Sequence, residues 1–134
     1  MGRILGVDYG DSRIGLALSD PMKIIASPYK TIPTKGHLDE LRKIIKLKKV
    51  ERVIIGLPLG LKGQETMQTR KTRLFSESLS ELNCPINLED ERLSTISAEK
   101  SLIQQNIKTG HNKSLIDQRA AAIILQQFLD KQCH

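Results

Sequence analysis

The stretch ILGVDYGDSRIGLALSD, Ile4 to Asp20, limits what this chain can fold into more than any other. Arg3 to Asp8 carries apolar side chains on both faces, at Ile4, Leu5 and Val7, as a central strand covered on both sides must. Gly10-Asp11-Ser12 has the composition of a turn, and Ile14 to Ser19 is a second apolar run that Asp20-Pro21 ends. The two runs make a hairpin, and the rest of the chain has to cover it. Lys23 to Thr34, interrupted by prolines, predicts a short edge strand. His37 to Lys48 predicts a helix whose stripe is Leu38, Leu41, Ile44, Ile45 and Leu47. Arg52 to Gly56 reads as a short buried strand and LPLGLKG as a glycine-rich loop. A helix follows from about Thr66 to Asn83, with Leu74, Leu79 and Leu82 on its apolar side. Ile86 to Asp90 is the fifth strand. Ser94 or Thr95 can cap a helix that ends near Gly110, and a last helix runs from Ser114 to about Lys131.

Three antiparallel strands followed by alternating helices and strands give a mixed five-stranded sheet. With helices on both faces this is a three-layer α/β/α arrangement, the layout of the ribonuclease-H-like fold. The 134 residues suit one domain spanning 1–134. In open sheets of this kind ligands bind beyond the carboxyl ends of the central strands. Asp8 and the pair Asp90-Glu91 lie at such ends.

Composition narrows the choice of partner. Lys and Arg number 21 against 15 acids, a net charge of +6 that suits a polyanion such as nucleic acid. Aromatic residues are only 3%, which argues against a base-stacking platform. No apolar run approaches the ~20 residues of a membrane span, and the start of the chain has no signal-peptide pattern. Cys84 and Cys133 form no C-x-x-C, and His37, His111 and His134 show no ligand spacing, so two free thiols in a cytosolic protein are expected.

Acids gather in three places. Asp8 follows a buried strand, either as a strand-ending turn residue or as a group at the rim of the sheet. Glu89, Asp90 and Glu91 run together before Arg92. Three adjacent carboxylates repel unless something positive stands near, although a strand end open to water would tolerate them. Strand alternation puts Asp90 with Leu88 and Glu91 with Glu89, without saying which of the two turns inward. Asp117 shares a helix face with Ala120, Ala121 and Ile124, the stripe that packs on the sheet. It can also serve the helix's own N-terminus as the last residue of a capping box from Ser114. Two acids at the ends of neighbouring strands and one on a facing helix can converge. Together they would suit hard cations such as Mg²⁺ or Mn²⁺, and a pair of such ions serves phosphodiester cleavage.

VDYGDSRIGLALSD, VIIGLPLGLKG, DERLST and IDQRAAAIILQQFL stand in the order found in the YqgF family, which the chain resembles over essentially its whole length. That family looks like compact ribonuclease-H-like nucleases, described as Holliday-junction resolvases and as nucleases of pre-16S rRNA. The resemblance implies Asp8, Glu91 and Asp117 as the metal-binding, catalytic acids, with Asp90 as a neighbour able to take the second role. It departs from the resolvases at one place. Their second catalytic acid lies on the strand that here reads VIIGLP, which has none, so the carboxylate would come from DER. Arg13, Lys62, Arg70, Arg73, Arg92 and Lys113 are candidate phosphate contacts.

The leading expectation is therefore a metal-dependent nuclease trimming the 5′ end of pre-16S rRNA, with structured RNA or branched DNA as its partner. A junction-cleaving endonuclease and a non-catalytic assembly factor are the alternatives. DYGDSRIG also looks like the phosphate loop of actin-like ATPases, but those bind nucleotide between two domains and this chain has room for one. The sequence leaves open whether the protein is a monomer or a homodimer.

Overall fold

The computed structural model of the chain describes residues 2–93 and 113–132. Its strands are β1 (Arg3–Asp8), β2 (Arg13–Ser19), β3 (Ala26–Pro33), β4 (Val50–Leu57) and β5 (Ile86–Asp90). Its helices are α1 (His37–Lys48), α2 (Met67–Ser78) and α3 (Lys113–Gln132). The helix expected between Ser94 and Gly110 lies outside the described residues.

The strands form one sheet in the order β3-β2-β1-β4-β5. β1, β2 and β3 are antiparallel neighbours, whereas β4 runs parallel to β1 and β5 parallel to β4. The α/β class and the mixed five-stranded sheet are as the sequence predicts. β3 is longer than expected, and Pro28 and Pro33 fit there because it is an edge.

Side-chain alternation splits the core in two. Leu5 and Val7 of β1, Leu16 of β2 and Ile55 of β4 pack with Leu41 and Ile44 of α1 and Phe75 of α2. Ile4, Ala17 and Ile54 take the other face, against Ala121, Ile124, Leu125 and Leu129 of α3. That second face carries small residues where α3 crosses closest. A Cβ on Gly6 would come within 2.7 Å of the Leu125 Cβ and 2.8 Å of the Ala121 carbonyl oxygen. A Cβ on Gly15 would come within 2.7 Å of the Asp117 Cβ and closer still to its carbonyl. Glycines in the sheet and alanines in α3 thus let the helix backbone lie almost on the strands.

Two helix stripes differ from expectation. Leu47 of α1 and Leu74 of α2 are exposed. α2 instead buries Thr69, Thr72 and Phe75. The threonines can be buried because their hydroxyls are satisfied locally. Thr69 Oγ1 donates to the Pro58 carbonyl and Thr72 Oγ1 to the Gln68 carbonyl at 2.9 Å. Thr66 and Thr69 also close a reciprocal capping box. α2 stops at Ser78, a 3₁₀ turn carries the chain over buried Leu79 to Leu82, and Asn83 ends it in the left-handed region at φ 53°. Among the described residues no helix is long and apolar enough to cross a membrane. Cys84 is a free, half-buried thiol whose pKa burial pushes up, which makes it a poor nucleophile.

The connection after β2 carries a pH dependence. Asp20 Oδ1 accepts the backbone N–H groups of Ile24 and Ile25, both at 2.8 Å. These bonds, Ile25 first, hold its pKa below the ordinary 3.8. A carboxyl with a lowered folded-state pKa contributes stability above its unfolded value and loses that contribution as pH falls through the folded one. Asp20 is open to solvent, so the effect is small. Asp20→Asn is expected to remove part of the stability lost on acidification below about pH 4, read as a flatter dependence of the urea midpoint on pH.

Candidate active site

Alternation carries Asp8 to the α3 side of the sheet, in step with Ile4 and Gly6. It ends β1 opposite Gly15 of β2 and is 9% exposed. The end of β5 follows the same logic. Glu89 stands in register with Gly56 and Asp90 with Leu57. Glu89 is buried toward α3, where Gln127 Nε2 at 2.5 Å and Lys131 Nζ at 2.7 Å both reach its Oε2. Glu91 comes two residues later, on the same side, and is also 9% exposed. Asp90 turns away and accepts from Arg92, from the backbone N–H at 2.8 Å and from Nε and Nη2 at 3.2 and 3.1 Å. The position of α3 therefore resolves what strand parity left open.

The expectation of acids on neighbouring strands needs correcting, because β4 separates β1 from β5. Gly56 makes the separation bridgeable. A Cβ there would lie 2.6 Å from Glu91 Oε1. The carboxylate missing from β4 is thus replaced in space by one reaching over Gly56 from the end of β5.

Asp117 faces the sheet from the start of α3, with Ala120, Ala121 and Ile124 buried along the same stripe. The Ser114 side chain lies outside the described set, so the capping box with it does too. The Asp117 carboxylate is held by Arg13, whose Nε donates to Oδ2 at 2.5 Å.

Asp8, Glu91 and Asp117 line one cavity of about 290 Å³ at the carboxyl edge of the sheet, with Tyr9, Pro58 and Gln68 completing its wall. Tyr9 is held by stacking on Phe75, ring centroids 4.6 Å apart. Gly56, Tyr9 and Gln68 escaped the sequence reading. Only Gly56 had a signal there, as a glycine ending a buried strand in the GLP motif. Carboxylate oxygens suit a hard divalent cation in kind. Yet among the described residues no three acid, histidine or cysteine side chains are grouped tightly enough to hold one ion. The donors fit, and they are not drawn in around one point.

The candidate phosphate contacts fall into two sets. Arg13 pairs with Asp117, Arg92 with Asp90 and Arg73 with Glu65 at 2.7 Å. Lys62 and Arg70 are exposed, Lys62 on the loop after β4 and Arg70 on α2. That loop is stiffened by Gly60 N–H to Gln64 O at 2.9 Å and Gly63 N–H to Gly60 O at 2.8 Å. Lys113 opens α3, and its side chain lies outside the described set.

Comparison with known proteins agrees with this frame. The chain is 42% identical over 131 residues to a protein of Maridesulfovibrio salexigens named "Putative pre-16S rRNA nuclease", covering 95% of this chain and 97% of that one. It is also 42% identical to a protein of the same name from Desulforamulus reducens, covering 96% of each. Among solved structures, Thermus thermophilus RuvC in complex with a Holliday junction substrate superposes with a TM-score of 0.60 at 11% identity. That superposition covers 99% of this chain and 96% of RuvC, and at such low identity it speaks for a shared ribonuclease-H-like fold alone. A family model described as "RuvX: Holliday junction resolvase" matches residues 2–131. With a sheet of RuvC topology and relatives of 42% identity along nearly all its length, the chain belongs to the RuvX (YqgF) family.

Proposed function

We propose that this protein is a metal-dependent nuclease, one domain spanning 1–134, that hydrolyses phosphodiester bonds in the 5′ end maturation of pre-16S rRNA in the cytoplasm. One observation carries the chemistry: carboxylates from β1, from beyond β5 and from α3 line a single cavity. The names of the close relatives favour the substrate. Asp8, Glu91 and Asp117 would hold Mg²⁺ or Mn²⁺, which when bound supplies water activation and neutralises charge on the phosphate. Asp8 and Glu91, both largely buried, would offer two of those ligands, from the end of β1 and from just beyond β5. Tyr9 and Gln68 bound the space left for the substrate. Lys62 and Arg70 lie exposed where a phosphate backbone could follow the surface, and the net charge of +6 favours its approach.

The family description favours a second reading, a nuclease acting on four-way DNA junctions. Paired cuts on such a substrate call for a symmetric dimer. Incubation with Mn²⁺ and either a pre-16S precursor or a four-way junction separates the two. Cleavage of the RNA alone supports the first reading, and cleavage of the junction alone supports the second. If neither is cut and the protein binds RNA in a salt-sensitive way that Asp8→Asn leaves intact, it is a non-catalytic assembly factor.

The roles of the adjacent acids can be separated in the same assay. Glu91→Gln is expected to lower cleavage at least ~100-fold, as loss of a direct metal ligand exceeds the ~10–100-fold typical of groups that only support ligands. Asp90→Asn is expected to change it by less than about ten-fold, because its oxygens face Arg92.

A further inference from the structure

Building on the nuclease reading, we infer that Arg13 is a positioning residue that stands in for the divalent cation at Asp117 and surrenders the carboxylate when the ion arrives. Three observations carry this. The guanidinium Nε lies 2.5 Å from Asp117 Oδ2, a charge-assisted contact at the edge of the cavity that holds all three acids. The Asp117 backbone is pressed onto β2 at Gly15, so the helix cannot move closer to the sheet, and rotation of the side chain is the small movement by which the carboxylate changes partner. Arg13 itself is 39% exposed, and a second space of about 210 Å³ beside Gly10, Asp11 and Ser12 gives its guanidinium room to withdraw.

Among the described residues no three acids close on one point, and the hold of Arg13 on Asp117 is one restraint that keeps Asp117 from doing so. An arginine keeps its charge at any working pH, so the pair is not lost by deprotonation of its basic partner, and a competing cation can displace it. Once displaced, the planar fork of Arg13 is free at the mouth of the site to take a phosphate. Its ion pair and its phosphate contact then become two states of one residue.

The test is Mn²⁺ binding to the whole, metal-free protein, followed by calorimetry without substrate. If Arg13 keeps Asp117 engaged about nine-tenths of the time, apparent affinity is lowered about ten-fold. Arg13→Gln should therefore bind Mn²⁺ about ten-fold more tightly than the wild type, and Mn²⁺ should raise its melting temperature further. Arg13→Lys should fall between the two. The RNA KM of Arg13→Gln should rise. A merely structural tether predicts the reverse, and Mn²⁺ bound equally or more weakly by a folded Arg13→Gln overturns the inference while leaving the nuclease reading intact. No Mn²⁺ binding by wild type and Arg13→Gln alike overturns both.

Discussion

Gly15→Ala is expected to destabilise the protein by about 3 kcal/mol or more, at the upper end for overpacking a filled core. The added methyl would fall 2.7 Å from the Asp117 Cβ and nearer still to backbone atoms of the same residue. Backbone in the first turns of α3 cannot rotate away as a side chain can. The helix must lift, and Ala120, Ala121 and Ile124 lift with it out of their contacts with the sheet. The measurement is thermal and urea unfolding, with a melting temperature lower by about 10 °C or more for a chain of this size. Gly36→Ala is the control. Gly36 has φ 78° and nothing within 4 Å of a new Cβ, so it carries conformational strain without a clash and should cost about 1 kcal/mol. Equal losses at the two positions would mean that α3 does not rest on the sheet as closely as described.

Asp8→Asn is the second large effect. The amide has the size of the carboxylate and lacks its charge, so a hard cation loses a ligand while the strand end keeps its shape. Cleavage is expected to fall by at least ~100-fold in Mg²⁺ or Mn²⁺. Stability should change little, since the amide keeps the size and one acceptor oxygen of the carboxylate. Single-turnover cleavage set beside the melting temperature reads both quantities. An Asp8→Asn protein that cuts RNA at the wild-type rate would remove Asp8 from the chemistry.

The sheet was legible because its pattern repeats over many residues. Two-sided apolar runs at Ile4 to Val7 and Ile14 to Leu18 admit few alternatives to a covered hairpin. α2 was less legible, since threonines that satisfy themselves on nearby carbonyls count as polar in a sequence and behave as core here. At the site, Asp117 could be placed on the inward stripe from helical spacing alone. The choice between Asp90 and Glu91 could not be made, because it depends on which face of β5 meets α3. The Arg13–Asp117 pair spans 104 residues of sequence and left no local trace at all. Nor does a sequence announce strand order, so the place of β4 between β1 and β5 is visible only in the folded sheet.

Among the described residues β5 is an edge strand of five residues, paired on one side only. Sliding it by one residue along β4 would exchange the faces of every side chain it carries, bringing Asp90 toward α3 and sending Glu91 outward. Hydrophobic burial resists this mainly through Ile86, which packs against the core, since Leu88 is 37% exposed. A second restraint is the clasp of Gln127 and Lys131 on Glu89, which works like a ratchet pawl in favouring one tooth of the strand. The last two turns of α3, outside the lining of the cavity, thereby help to set which acid the cavity receives.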